Sequence, residues 1–379
     1  MKIDTFLLER WMSRHETHCR YDIAESGILP LTTNDLLDFE PLEARTATLE
    51  RLLSTPLGYS EARGTAELRA QIAATYARGD AEHVLVTTGA IEANFLLFNV
   101  LLERGDHAIV PYPAYQQLYS VPEAIGCEVS RWPVGPETGY RYDVDALERM
   151  LRPNTRVIVI NTPHNPTGAM LSPGDARRVY DLAAAAGARV IGDEAYRWLA
   201  VPDGDPFAPP MFDQGPAGIS VGTLSKPLGL PGLRIGWIMG PPDLIQRCWG
   251  MRDYITLSPG KLNDALARLA MTHRERIIER NHGIIRANLA EAGRWMAERP
   301  AFMSWTPPRG GLLALVKYDL PIDSLALADK LATEYSVMLA PGSAFGYEHH
   351  LRLGIGQRPD IFAEGLARTG VCLETLRRQ

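Results

Sequence analysis

Lysine is scarce in this chain. Only five occur, at Lys2, Lys226, Lys261, Lys317 and Lys330, among 39 lysines and arginines. A lysine amine can lose its proton and attack a carbonyl, whereas a guanidinium stays charged. Lys226 alone sits where an apolar run breaks into a Gly/Pro loop, in SVGTLSKPLGLPGLRIGW (220–237), with Arg234 eight residues on. Four other runs carry polar groups of suggestive type. TTGAIEAN places a tight turn before a helix, so the N–H groups of Ala90 and Ile91 are free to hold a phosphate, although such a turn can be only a turn. Asp193 in GDEAY is either a helix N-cap or a carboxylate that keeps a pyridine nitrogen protonated. Tyr196, and Asn165 in NTPHNPTG, have the donors to bond a phenolic oxygen. Tyr115 in PYPAYQQLY offers a ring for stacking, or for the core.

These groups need a scaffold that aims them at one place. Strand-like runs fall at 83–89, 107–113, 156–163, 189–196 and 218–225, with helical patterns such as IEANFLLFNVLLERG between them. Continuous Val/Ile strands alternating with helices imply a mostly parallel sheet covered on both faces. In such a sheet ligands bind beyond the carboxyl ends of the strands. Gly89, Tyr115, Asn165, Asp193 and Lys226 each lie at or just past such an end. After about residue 260 a long helical stretch (260–299) gives way to FMSWTPPRGGLLALVKY, SVMLAPGSAFG, LRLGIG and a last helix. The expected organisation is an N-terminal segment of a small domain (1–45), a large α/β domain (46–265) and a C-terminal small α+β domain (266–379).

Composition narrows the partners. With 46% hydrophobic and 22% charged residues the chain has an ordinary globular balance. Its net charge of -6 argues against nucleic acid and anionic membrane. No apolar run approaches the roughly 20 residues that span a bilayer. MKIDTFLLERWMSRHETHCR carries acids and no small-residue cleavage site, so no export signal is expected. Cys19, Cys127, Cys248 and Cys372 are scattered without a CxxC, which suits buried thiols in a reducing cytoplasm. HETHC (15–19) could ligate a metal but has no companion cluster, and no metal is expected. HRERIIERNH (273–282) is expected to be a solvated helix face.

Taken together, YSEARGTAELR (59–69), TTGAIEA, PYPAYQQLY, NTPHNPTG, GDEAY, TLSKPLGLPGLRIGW and HLRLGIG resemble the class I/II aminotransferase family. Those enzymes use pyridoxal 5′-phosphate and have fold type I. The motifs come in family order and cover about residues 20 to 360. The resemblance implies that Lys226 forms the Schiff base with the cofactor, and that Thr223 and Arg234 grip its phosphate. It implies that Asp193 faces the ring nitrogen, Asn165 and Tyr196 the phenolic oxygen, and Tyr115 the ring face. Tyr59 would reach the cofactor of a second copy, in a homodimer with shared sites. Arg352 would bind the substrate α-carboxylate, and Gly27 would touch substrate.

The substrate implied is a free L-α-amino acid, with an oxo acid if amino groups are exchanged. MRDYITLSPG and PPRGGLLALVKY also resemble a subgroup that includes capreomycidine synthases, which eliminate a β-hydroxyl from 3-hydroxyarginine and cyclise it. Transamination and such an elimination–cyclisation are therefore both open. For a guanidinium substrate, Asp22 and Glu25 beside Gly27 are the nearest acids in sequence, although each reads more simply as an exposed loop carboxylate. His164 beside Asn165 is either a site contact or a packing group. A non-catalytic regulator that binds the same cofactor is a third reading. Such regulators carry a DNA-binding domain, which the stretch before Tyr59 does not accommodate.

Overall fold

A computed structural model describes residues 2–378. Its centre is a seven-stranded sheet: β1 (Val84–Thr87), β2 (His107–Tyr112), β3 (Glu128–Pro133), β4 (Thr155–Asn161), β5 (Arg189–Asp193), β6 (Gly218–Thr223) and β7 (Gly236–Met239). The strands lie in the order β1-β7-β6-β5-β4-β2-β3. All are parallel except β7, which runs against both neighbours. Along β4, Val157 and Val159 enter one apolar cluster while Ile158 and Ile160 enter another. Both faces of the sheet are therefore buried, as an unbroken Val/Ile run requires. Helices Ala90–Leu101, Gln117–Ile125 and Pro173–Ala185 supply the cover.

The five expected strands are present, slightly shortened, and two more join them. β3 has an edge position and only one fully buried residue, and β7 is a four-residue run hidden behind the Gly/Pro loop. The direction of β7 matters. Because it is antiparallel, its N-terminal end, just after Arg234, comes to the rim where the parallel strands end. The pairs Asn161–Asp193 and Thr223–Gly236 put those ends level.

A second, smaller sheet joins Ala340–Pro341, His350–Gly354, Leu313–Tyr318 and Met303–Trp305 in that order, all antiparallel. Tyr21–Asp22 pairs in parallel with Val337–Met338. One core holds Leu8, Trp11, Met12 and Ile23 together with Leu313, Leu353 and Phe362. The two ends of the sequence thus share one interior. The 260–299 stretch forms two helices, Lys261–Thr272 and Arg274–Ala297, broken at His273. The second spans both interiors, with Ile277 in one and Ile285 in the other.

That helix also corrects the expectation for 273–282. Ile277 and Asn281 are fully buried, His282 bonds the Trp198 carbonyl at 2.9 Å and Arg280 the Leu29 carbonyl at 3.1 Å. The run is an interface between elements, its charged ends reaching across to backbone. All four cysteines are free, Cys248 and Cys372 buried and the other two half-buried. Among the described residues no helix is long and apolar enough to cross a membrane, and no three His, Cys, Asp or Glu side chains gather as a metal would need.

Candidate active site

The strand ends open into a cavity of about 380 Å³, walled by residues from both parts of the chain. Of the residues singled out in the sequence, Ala90, Ile91, Tyr115, Asn165, Asp193, Tyr196, Thr223, Lys226, Arg234 and Arg352 line it. Gly27 lies against it: a Cβ there would stand 3.6 Å from Lys226 Cδ. Tyr59 is not brought to this cavity by its own chain. It is 83% exposed and bridges to Gly260. A roomier crevice, about 500 Å³, runs from Tyr140 to Arg309 but contains none of these groups.

One end of the cavity is built for an anion. Helix Ala90–Leu101 starts at Gly89, whose φ is 78° and which supplies no side-chain cap, so its first-turn N–H groups face open space. Arg234 comes to this turn from the start of β7, itself in a left-handed conformation at φ 50°. A Cβ on Gly89 would lie 2.6 Å from Arg234 Nη2, and one on Gly236 only 2.4 Å from the Gly89 carbonyl carbon. Both glycines are therefore needed for the guanidinium and the helix start to meet. Thr223 and Ser225 complete the end, with their hydroxyls 3.0 Å apart.

Asp193, at the end of β5, is 5% exposed. Asn94 Nδ2 donates to its Oδ2 at 2.9 Å, and the Ala195 N–H donates to its Oδ1 at 3.2 Å. Burial pushes its pKa up, and those two donors pull against the shift. Asn161 Nδ2 donates to the Asp193 carbonyl at 3.0 Å, while its Oδ1 accepts from the Asn165 N–H at 2.8 Å.

Lys226 Nζ donates to Ser26 Oγ at 2.8 Å and to Glu25 Oε1 at 3.2 Å. Burial pulls its amine down, but the Glu25 carboxylate and the Tyr196 hydroxyl outweigh this, so its pKa lies above the ordinary value. In return Lys226 holds the Glu25 carboxyl below the usual range. Burial raises the Tyr196 phenol. Arg352, 2% exposed on strand His350–Gly354, donates to the Ala24 carbonyl at 2.7 Å and to Asn165 Oδ1 at 3.3 Å. Its Nε is buried without a partner.

The two acids left open by the sequence separate here. Glu25 faces the cavity, whereas Asp22 accepts from the N–H groups of Ala24 and Glu25 at 2.9 and 3.0 Å. Burial, then Glu25, raises Asp22 to about 6. His164 is 1% exposed, bonds Thr167 Oγ1 at 2.7 Å and sits edge-on to Tyr142. Burial lowers it to about 3, as suits a packing group.

Sequence reasoning missed Ser26, Asn94, Asn161 and the whole N-terminal wall. Helix Leu7–His15 brings Glu9 and Met12, with Glu16 at its C-cap, to the cavity mouth. Gln116 fastens it, accepting from the Leu7 N–H and donating to the Thr5 carbonyl, both at 2.9 Å. Glu9 Oε1 accepts from the Tyr115 hydroxyl at 3.2 Å. Positions 9, 12 and 16 share a helix face, a spacing that could have marked them.

These groups fit pyridoxal phosphate: an end with free helix N–H groups, two hydroxyls and a guanidinium, a buried carboxylate with no ion-pair partner among the described residues, and a lone amine within the same cavity. Thr223, Ser225, Arg234 and the helix start would hold the phosphate, Asp193 the ring nitrogen, and Lys226 the aldehyde. Comparison with known proteins agrees. The family model for aminotransferase class I and II matches residues 26–362. A capreomycidine synthase of Streptomyces vinaceus is 34% identical over 361 residues, 95% of this chain and 91% of that one. An arginine–pyruvate transaminase of Pseudomonas aeruginosa is 29% identical over 380 residues, covering 97% and 95%. The crystal structure of a pyridoxal-phosphate-dependent aminotransferase from Streptococcus suis superposes with a TM-score of 0.93 at 32% identity, covering 99% of each chain. The chain thus belongs to the class I and II aminotransferases, pyridoxal-phosphate enzymes of fold type I.

Proposed function

We propose that the protein binds a free L-α-amino acid, removes its Cα proton through Lys226 and transfers its amino group to an oxo acid. The observation that carries this is the meeting of Lys226, Asp193 and Arg352 in one cavity. Pyridoxal phosphate supplies an aldehyde that condenses with amines and a ring that takes up negative charge from Cα. Everything else falls to the chain. Arg352 receives the α-carboxylate, for which its buried, unpartnered Nε is a spare donor. Lys226, once its amine is neutral, takes the proton from Cα and returns it elsewhere. Asp193 keeps a proton at the ring nitrogen, and Asn165 and Tyr196 donate to the phenolic oxygen. Tyr115 covers the ring.

A second reading has its own support. Glu25, Glu9 and Glu16 put three carboxylates on the wall where a substrate side chain would lie, a setting suited to a cationic group. The likeness to a capreomycidine synthase points the same way. For a β-hydroxy guanidino amino acid, the same Cα deprotonation lets the β-hydroxyl leave as water. A guanidine nitrogen then adds at Cβ and closes the ring.

A mass-resolved product screen decides between them. On the transaminase reading, an amino donor alone discharges the long-wavelength absorbance once, and an oxo acid restores it. Catalytic turnover of a 3-hydroxy amino acid with no oxo acid present would instead establish elimination.

The assembly proposed is a homodimer. Tyr59, Leu57 (86%), Leu53 (79%) and Tyr254 (92%) are all exposed, bare apolar side chains of the kind a second copy would cover. Four free thiols support a reducing, cytoplasmic setting. The proposed division is a large cofactor-binding domain (46–265) with a small domain drawn from 1–45 and 266–379.

A further inference from the structure

We infer that Asn94 is a positioning residue for the reaction, holding Asp193 in place as a carboxylate so that its free lone pairs face the ring nitrogen. The inference rests on the reading of Asp193 as the ring-nitrogen partner and adds a residue that reading does not need.

Asn94 is 1% exposed, and among the described residues its Nδ2 is the one side-chain donor to the Asp193 carboxylate, at 2.9 Å. Its own Oδ1 is buried with no partner. A polar amide in that position is costly unless it does something a leucine cannot, because an unpaired buried acceptor loses its hydration without return. The orientation is decided by charge. Turned the other way, Oδ1 would face the carboxylate and two acceptors would repel. Asn94 sits one turn inside helix Ala90–Leu101, four residues after Ala90, about 6 Å along the axis. The element whose start faces the phosphate end therefore also grips the carboxylate at the other end. One rigid helix sets the distance between two of the cofactor's anchors.

The electrostatic surroundings leave this task to Asn94. The other groups facing Asp193 are the phenols of Tyr115 and Tyr142, whose pKa values burial raises further, so both stay neutral across the working range. The cations of the cavity, Lys226, Arg234 and Arg352, have their own partners at Glu25, Pro231 and Ala24. Burial raises Asp193, and the Asn94 donor is the largest influence opposing it. Without that donor Asp193 takes up its proton at higher pH.

The test is cofactor affinity against pH, read by equilibrium dialysis of pyridoxal phosphate rather than by turnover, with thermal melting of the cofactor-free protein as the folding control. Replacing Asn94 by leucine removes the donor at nearly constant volume. Affinity should fall about tenfold, the worth of one hydrogen bond to a charged group, and the deficit should widen as pH drops. Asn94→Asp should show the opposite slope: weak at high pH, where two carboxylates repel, and recovering at low pH, where the new carboxyl is protonated and donates. A purely structural role would not reverse the slope. Profiles of both variants that overlay the wild type overturn the inference, and if Asn94→Leu fails to fold, the slope of Asn94→Asp decides alone. Asp193→Asn separates the two levels. Should it too bind like wild type, the reading of Asp193 falls and this inference with it; should it bind weakly while the Asn94 variants do not, only the role of Asn94 is lost.

Discussion

A lysine with an ordinary pKa of ~10.4 has almost no free electron pair at neutral pH. In this cavity the difficulty is greater, because Glu25 at 3.2 Å holds the Lys226 amine charged. That contact keeps a half-buried cation satisfied and its electron pair tied up in a proton. Replacing Glu25 by glutamine leaves burial unopposed by the carboxylate, and burial lowers an amine. The sign follows: the Lys226 pKa falls, and the pH profile of cofactor uptake by the cofactor-free protein moves to lower pH. Stopped-flow absorbance at a series of pH values measures it. An unmoved profile would show that Glu25 does not control the amine. Residues of this kind divide sharply in how far the sequence reveals them. Lys226, Asp193 and Arg234 stand out because each is the wrong type for its surroundings, a charge beside an apolar strand or a Gly/Pro loop. Ser26 and Asn94 are ordinary residues in ordinary places, and only the fold shows what their side chains meet.

At the scale of elements, the anion end depends on two backbones passing closer than side chains permit. Gly89 at φ 78° lies on one and Gly236 on the other. A Gly89→Ala substitution adds a Cβ 2.6 Å from Arg234 Nη2 and also holds an alanine at φ 78°, ψ 168°, a region essentially reserved for glycine that costs about 1–3 kcal/mol. The guanidinium must swing away, so affinity for pyridoxal phosphate should fall at least about tenfold. Fluorescence titration of the cofactor-free variant checks this, and unchanged affinity would mean that Arg234 does not need that approach. Five of the seven strands were legible because burial on both faces demands an unbroken apolar run, as RVIVIN shows in β4. β3 and β7 were not, one being an edge strand with only one fully buried residue and the other having only four residues. The N-terminal helix could be read as amphipathic. Its place over the cavity is set by Gln116, 109 residues away from Leu7, and such a pairing leaves no local trace.

On the scale of the whole molecule, one chain does not bring every expected group to its cavity. Tyr59 points outward at 83% exposure, beside other bare apolar side chains. On the dimer reading it serves the neighbouring site. Mixing Lys226→Ala with Tyr59→Phe protein should then create hybrid dimers in which one site keeps both an intact lysine and an intact tyrosine. Activity above the sum of the separate variants supports sharing; a purely additive mixture counts against it. The central claim is simpler and comes before assembly: of five lysines, one is the group that reacts with the cofactor. Borohydride reduction of the loaded protein followed by peptide mass mapping tests it most directly. The account predicts a stable phosphopyridoxyl mark on Lys226, absent from the Lys226→Ala protein. A mark on Lys2, Lys261, Lys317 or Lys330 in its place would contradict it.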